Sequence, residues 1–213
     1  MLSDYAAIKN GSYGKLMKAY YAKQDAEKLS GKGDTSQKLT LMKTSADSLK
    51  KSADALNDSS LWEKKKIKKK DEKTGEEIEV EDYDWDKITK AVKSFVEDYN
   101  DVVKEAGESN TKDVLRNASW MTGMTDKNSN MLAKIGITIG KGNKLELDED
   151  ALKQADISSL KTVFTGYNSF VSKISQKATG ISNAANRASA TYTNNGTYSK
   201  TDSSLTSSKI DKE

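Results

Sequence analysis

The sequence contains no cysteine, no histidine and no proline. Without cysteine and histidine the chain has no disulfide, no thiolate nucleophile, no imidazole base and none of the usual zinc ligands, so most familiar catalytic and metal sites are excluded. Because no proline interrupts the backbone, long unbroken helices are allowed. We therefore expect no enzyme activity, no bound metal and no other cofactor.

Neither sign of charge dominates the chain, and long apolar runs are missing. The 35 basic and 32 acidic residues leave a formal charge of +3, which gives no argument for nucleic-acid binding. No stretch approaches the ~18 apolar residues of a membrane span. The amino terminus has neither the apolar core nor the small-residue site of a cleaved secretory signal. We expect a soluble protein that binds other proteins and that leaves the cell, if it does, without such a signal.

Three segments have apolar residues at alternating steps of three and four, which is typical of helices that pack on other helices. In the first, from Leu39 to about Leu61, these residues are Leu39, Met42, Ala46, Leu49, Ala53 and Leu56. In the second they are Ile88, Val92, Phe95, Tyr99, Val102 and Ala106. In the third, 157–188, they are Ile157, Leu160, Phe164, Tyr167, Val171, Ile174, Ala178, Ile181, Ala185 and Ala188.

These three seams predict an antiparallel bundle of long, coiled-coil-like helices, with the seam residues as the candidate packing contacts. Two interpretations stay open for the seams: contacts with neighbouring subunits, or the interior of a self-contained bundle. The third seam is either one continuous helix or two helices divided at Gly166. The second helix is expected to start near Asp84 or Asp86 and to end at Gly107, and a short helix is expected within 108–131.

Two β-hairpins interrupt the helical pattern. Residues 62–85 divide into a basic and an acidic half around a turn, and antiparallel pairing sets opposite charges against each other. The expected pairs are Lys66–Glu81, Ile67–Val80, Lys68–Glu79 and Lys70–Glu77. The alternative for this segment is a solvated, disordered charge run. In residues 134–148, alternating apolar residues predict the pairs Ile137–Leu147 and Ile139–Leu145 around a turn at 140–143.

The predicted fold is therefore mainly α with a small amount of β. Its expected parts are an N-terminal helical segment at 1–38, a helical bundle with both hairpins at 39–190, and a disordered tail at 191–213. Asp82, Asp84 and Asp86 have the spacing of the first calcium ligands in a helix-loop-helix site. Lys87 stands where that site needs glycine, however, so calcium is a weak hypothesis.

Three motifs occur in the order found in a known family. The first is Phe95, Val96, Tyr99 and Asn100, and the third is Phe164, Thr165 and Gly166. The second is a hairpin motif comprising Ile135, Gly136, Ile137, Thr138, Leu145, Leu147, Asp148 and Glu149. Together they cover roughly 86–190 and resemble the carboxy-terminal part of flagellar hook-associated protein 2, the filament cap family.

This resemblance implies an extracellular structural protein of the bacterial flagellum, exported without a cleaved signal peptide. Its helical ends would pack with neighbouring subunits at the filament tip, so the implied partners are further copies of the chain, flagellin or another filament subunit. Residues 1–30 would then lie beside 167–190. Members of the family commonly carry β-rich domains before the carboxy-terminal helices, where this chain has only the hairpin at 62–85.

A second hypothesis needs no filament. Helical seams also engage a helix of another protein, as in cytoplasmic binding modules and flagellar export chaperones. Secretion distinguishes the two hypotheses, because only the structural subunit has to leave the cell.

Overall fold

The computed structural model describes residues 33–70 and 77–191, and four long helices contain most of them. In chain order the elements are α1 (Ser36–Asn57), β1 (Lys65–Lys70), β2 (Glu77–Asp82), α2 (Trp85–Glu108), α3 (Lys112–Lys127), α4 (Ser129–Ala133), β3 (Ile137–Ile139), β4 (Leu145–Leu147), α5 (Glu149–Gln154), α6 (Ile157–Phe164) and α7 (Phe170–Thr191). The described residues are thus mainly helical with two small hairpins, which confirms the predicted fold class. The N-terminal helical segment expected at 1–38 lies outside the described residues up to residue 32, and the tail expected at 191–213 lies outside them after Thr191.

The long helices α1, α2, α3 and α7 form the bundle, and α1 runs antiparallel to both α2 and α7. Asp47 and Asp54 of α1 accept hydrogen bonds from Ser182 and Ser175 of α7, respectively, so these two helices run in opposite directions. At the start of α1, Lys38 donates to the last carbonyl of α2. Helix α3 packs along α7 on its other side and also contacts α2. Among the helices that the structure describes, each of these four therefore packs against two of the others.

Side-chain caps set the beginnings of α1 and α2. The Thr35 hydroxyl accepts the Lys38 amide at 3.3 Å, and the Asp84 carboxylate accepts the Lys87 amide at 3.1 Å. Such caps satisfy amide groups that have no partner within the helix. The expected start of the second helix at Asp84 is confirmed.

Two expected helix ends are wrong. The first helix stops at Asn57 and not near Leu61, because Asp58 is extended and caps a separate 3-10 turn, Ser59–Trp62. The second helix passes through Gly107 and stops at Glu108, where Ser109 is extended. The Ser109 hydroxyl donates to Asp34 at 2.7 Å, so a tertiary contact ends α2 and a glycine does not.

The third seam is divided into α6 and α7, so the interpretation as one continuous helix is wrong and the division at Gly166 is confirmed. Gly166 has φ +98, a conformation that favours glycine, and its amide donates to the Asn57 side chain at 2.8 Å. Tyr167 follows in this turn and is 82% exposed, so it does not belong to the packing seam. The helical spacing is interrupted between the end of α6 at Phe164 and the start of α7 at Phe170, and buried apolar residues resume at Phe170.

Both hairpins have the predicted register. In the first, Lys66 pairs with Glu81, Ile67 with Val80, Lys68 with Glu79 and Lys70 with Glu77. In the second, Ile137 pairs with Leu147 and Ile139 with Leu145. The disordered charge run is therefore wrong for the strand residues 65–70 and 77–82. Within the part of the chain that the structure describes, each hairpin is a separate two-stranded sheet.

Gly136 joins the bundle to the second hairpin in a conformation that suits glycine. Its φ is +77, and its carbonyl accepts the Asp148 amide at 2.8 Å. A Cβ atom at this position would lie 2.7 Å from the Asp148 carbonyl oxygen and 2.9 Å from the Leu152 amide nitrogen. Both neighbours are backbone atoms, which cannot move aside as a flexible side chain could. Steric exclusion of a Cβ atom therefore explains why the hairpin motif has glycine at position 136.

Replacing Gly136 by alanine is expected to lower the free energy of unfolding by about 2 kcal/mol, because the new Cβ meets backbone in a left-handed conformation. The matched control is Gly107→Ala, where an added Cβ meets nothing within 4 Å. As Gly107 lies inside α2, its replacement should instead stabilise the protein, by up to about 1 kcal/mol. Urea denaturation followed by circular dichroism measures both. Equal effects of the two substitutions would contradict the steric explanation.

Candidate assembly site

The predicted seam residues face one another inside a single core, except for Tyr167, which is exposed, and Ile157 and Ala188, which are only partly buried against it. The following seam residues are at most 2% exposed: Leu39, Met42, Leu49, Leu56, Ile88, Val92, Phe95, Tyr99, Val102, Leu160, Phe164, Val171, Ile174 and Ile181. Within the described residues, helices of the same chain cover these side chains. The three seams therefore meet each other, and contacts with another protein have to use other surfaces.

An aromatic cluster connects α2, α6 and α7 at the centre of this core. The rings of Trp62 and Phe164 stack with their centroids 5.6 Å apart, and Phe95 contacts Phe164 and Phe170 edge-to-face at 6.4 and 6.3 Å. The Trp62 indole N–H donates to the Leu56 carbonyl at 2.8 Å, which satisfies its polar group inside the core. From the sequence, Trp62 was predicted only at the start of the first hairpin segment, and its core role was not predicted.

Tyr99 and Asn100, adjacent in the first family motif, each attach α2 to a different element. The Tyr99 hydroxyl donates to Thr125 Oγ1 of α3 at 2.9 Å, and burial raises the pKa of this hydroxyl far above its ordinary value. The Asn100 side chain donates to the Leu145 carbonyl at 2.8 Å and accepts the Leu145 amide at 2.7 Å. Asn100 thereby occupies the outer hydrogen-bonding positions of β4 and holds the second hairpin against α2.

The hairpin motif has a packing role at most of its positions. Ile135, Ile137 and Leu145 are buried, and Leu147 is partly buried against the same core. The exposed Asp148 carboxylate accepts the amides of Asp150 and Ala151 and so begins α5. These residues orient the hairpin and its following helix; the motif residues form a structural joint between α2 and α5.

A buried carboxylate that the sequence analysis missed holds the start of α1 against the loop between α2 and α3. Asp34 is 5% exposed and accepts hydrogen bonds from the Ser109 hydroxyl and from the Asn110 and Thr111 amides, at 2.7, 2.9 and 2.9 Å. Burial alone raises the pKa of the Asp34 carboxyl, but these hydrogen bonds and Lys38 outweigh it, so the net pKa is lowered. The chain entering α1 is therefore fixed to the start of α3.

Few large apolar side chains are exposed on the described residues. They are Leu41, Ile78, Trp120 and Tyr167, at 50%, 40%, 55% and 82%. The Lys177 ammonium lies 4.4 Å from the centre of the Trp120 ring, across the contact of α3 with α7. Aromatic side chains with exposed faces are over-represented where proteins bind one another.

The described residues contain no group of three or more acidic side chains placed to hold a metal ion. Asp84, from the calcium hypothesis, uses its carboxylate as a helix cap instead. Burial raises the pKa of the Asp98 carboxyl, and the negative charges of Asp101 and Glu97 raise it further. The Asp98 carboxyl lies in the contact between α1 and α2, where it faces the Ser52 hydroxyl. As for membranes, none of the described helices is both long and apolar enough to span one.

The described part of the chain is a helical bundle with internal seams and two small hairpins. Residues 109–213 match the family model for the flagellar hook-associated protein 2 C-terminus, so the resemblance recognised in the sequence is confirmed over that span. This span begins between α2 and α3 and includes α3 to α7. The family is one of flagellar cap structural proteins and points to assembly in the flagellum. No curated protein and no solved structure matches the chain.

The substitution Asp34→Asn should lower the free energy of unfolding by about 2 kcal/mol at pH 7, because a neutral amide replaces a buried, fully hydrogen-bonded carboxylate. The folded pKa of Asp34 is lowered, so the wild-type advantage is complete above the unfolded pKa near 3.8 and is lost as the pH falls through the lower folded value. Thermal denaturation of both proteins between pH 7 and pH 2.5 measures this difference.

The exposed carboxylate of Asp126 on α3 offers a matched control for the buried carboxylate of Asp34. The variant Asp126→Asn should stay within about 0.5 kcal/mol of wild type at pH 7. A difference between Asp34→Asn and wild type that does not change between pH 7 and pH 2.5 would show that the Asp34 charge contributes nothing.

The substitution Asn100→Ala should lower the free energy of unfolding by about 2 kcal/mol, because the amide and carbonyl groups of Leu145 lose their partners on α2. Hydrogen exchange at the Leu145 amide should accelerate by more than exchange in the centre of α1. The control Asn183→Ala removes an exposed amide side chain on α7 and should change neither quantity appreciably. Unaltered protection at Leu145 would mean that Asn100 does not hold the hairpin.

Proposed function

We propose that this chain is a non-enzymatic structural subunit of the bacterial flagellum that acts at the filament tip in the manner of a filament cap. The match of residues 109–213 to the flagellar hook-associated protein 2 C-terminus carries this proposal. The subunit binds further copies of itself, flagellin or another filament subunit. It reaches the cell exterior through flagellar export, without a cleaved signal peptide.

The buried seams support a subunit that is folded before it assembles. Because the stripes of α1, α2 and α7 are covered within the chain, the bundle does not need a partner to hide them. Its partners then contact the outer surface and the terminal segments on either side of the described helices. Helical packing between subunits is therefore proposed for the outside of the bundle and its ends.

Trp120 and Tyr167 are the proposed partner contacts on the bundle surface. Both lie in the span that matches the family, and both expose more than half of their side chains. Neither contributes to the core, so a change at either position alters the surface without opening the bundle. Exposed Trp and Tyr side chains supply large contact areas at small entropic cost, which suits a binding surface.

A cytoplasmic helical binding module, similar to an export chaperone, is the second candidate. The self-contained core favours it, because such a module is active as a folded monomer that presents its surface to one partner. Cells with working flagella distinguish the two candidates. The structural subunit is found in the culture medium and on filaments, and disappears from both when flagellar export is disabled; the module stays in the cytosol.

Light scattering of the purified chain over a concentration series, alone and with monomeric flagellin, tests the assembly role. The weight-average mass should rise above that of the monomer in at least one of the two series. The double variant Trp120→Ala, Tyr167→Ala should reduce the apparent affinity by about tenfold or more, as expected for the loss of aromatic anchors. The control Lys153→Ala, an exposed change on α5, should leave it unaltered. A chain that stays monomeric and ignores flagellin contradicts the proposal.

A further inference from the structure

The first hairpin stands outside the core of the bundle. Its strands β1 and β2 pair with each other over six residues each, and none of the helices within 33–70 and 77–191 packs extensively on either strand. Tyr83 fixes its base, with the ammonium groups of Lys64 and Lys161 lying 5.7 and 5.8 Å from the ring centre and Trp85 packed edge-on. The hairpin is therefore held at its base, and its strands extend into solvent.

The two strands carry opposite charges. The described side chains of β1 include Lys65, Lys66 and Lys68, and those of β2 include Glu77, Glu79 and Glu81; all six are exposed. Residues two apart on a strand share a face, so Lys66 and Lys68 lie on the same face as Glu81 and Glu79, their cross-strand partners. Within the hairpin, the charges form one positive row beside one negative row.

Each strand has an outer edge that the hairpin itself does not use. A two-stranded sheet hydrogen-bonds its strands along the inner edges only, which leaves alternate backbone amides and carbonyls of each strand directed outward. Such an edge accepts a further strand, and the side chains of the two strands decide which one fits. A single two-stranded hairpin also gains stability when more strands are added to it.

Charge decides which strand of a second copy fits each edge. Pairing β1 with β1 sets lysine beside lysine, and pairing β2 with β2 sets glutamate beside glutamate; both arrangements are repulsive. Pairing β1 of one copy with β2 of another sets lysine beside glutamate on the charged face. The favourable contact is therefore between different edges, which makes it heterologous and gives the assembly a direction.

We propose that this hairpin is a self-association surface, on which the β1 edge of one copy binds the β2 edge of the next copy. The inference rests on the assembly role proposed above and names a surface for it. The sheet continues from subunit to subunit, and lysine and glutamate rows alternate across its charged face. Since the contact is heterologous, copies join head to tail into a ring or an open chain.

Lysine on an exposed strand edge also serves to prevent edge-to-edge association. That interpretation expects a protein that is monomeric at all salt concentrations, whereas the proposed contact depends on attraction between opposite charges and weakens with salt. The negative edge on β2 favours the proposed contact, because it complements the lysine edge and does not merely repel its own copies.

Sedimentation equilibrium of the full chain at low salt and at 0.5 M salt tests the contact. At low salt the wild type should have a weight-average mass above that of the monomer. At 0.5 M salt its dissociation constant for self-association should be at least tenfold higher. The variant Lys66→Glu, Lys68→Glu sets glutamate against glutamate on the charged face of the proposed contact and should be monomeric. The matched control Lys90→Glu, Lys173→Glu changes the net charge equally on exposed positions of α2 and α7 and should associate like wild type.

A fourfold exchange separates loss of the contact from loss of the hairpin. The fourfold variant adds Glu79→Lys and Glu81→Lys to Lys66→Glu and Lys68→Glu. Opposite charges then face each other again, both within the hairpin and between identical copies, so self-association should return. Circular dichroism checks that the bundle is intact in every variant. A fourfold variant that stays monomeric, or a twofold lysine variant that associates like wild type, overturns the proposal.

The outcome also distinguishes this surface from the general assembly role. If the twofold lysine variant still associates with itself as the wild type does, the hairpin contact fails and the assembly role stands. If the wild type stays monomeric alone but binds flagellin, the hairpin contact likewise fails and the assembly role stands. If the wild type remains monomeric with and without flagellin, both fail.

Discussion

The burial of α1 between α2 and α7 is the contact on which the rest of the structure depends. Leu49, Ala53 and Leu56 of α1 are completely buried, and small residues such as Ala46 and Ala53 let neighbouring helices approach closely. Close approach brings Asp47 and Asp54 within hydrogen-bonding distance of serines on α7. These two hydrogen bonds flank the apolar seam and fix the position of α7 along α1, while lysines one turn earlier on α1 pair with the same carboxylates.

The core joins parts of the chain on both sides of residue 109. Phe164 belongs to the span that matches the family, yet Trp62 and Phe95, which cover its ring, come before that span. Asn100 likewise precedes it and holds the second hairpin inside it. A fragment starting at residue 109 would expose these apolar faces. The matched half therefore needs α1 and α2 as its packing partners, and the unit that folds includes both halves.

Periodic features of this chain were predictable from its sequence. The register of both hairpins follows from alternation and complementary charge, since a slip of one residue would set Lys68 against the wrong face of its partner strand. The buried seams follow from spacing in the same way, because a helix repeats its face every three to four residues. The start of α2 at Asp84 follows from local capping chemistry.

Features that depend on distant contacts were not predictable. Gly107 looked like a helix end, but Ser109 ends α2 because it binds Asp34, which is far away in sequence. Tyr167 has the heptad spacing but is exposed, because the helix has already ended before Gly166. The Gly166 amide there donates a hydrogen bond to the Asn57 side chain. Spacing reports the face of a helix only while the helix continues. Trp62 was missed because one aromatic residue after a helix carries no periodic signal.

The two ways in which this chain distributes charge bear on its assembly. On α1, lysine and aspartate alternate one turn apart, as Lys43 with Asp47 and Lys50 with Asp54, so positive and negative groups neutralise each other locally. On the first hairpin the signs are separated into strands, and although Lys68 and Glu77 form an ion pair across them, each outer edge keeps one sign. Local neutralisation suits carboxylates that also accept hydrogen bonds from serines of a neighbouring helix in the same chain. Separation into two complementary edges makes the hairpin selective for direction, because only one of its possible pairings with another copy is attractive.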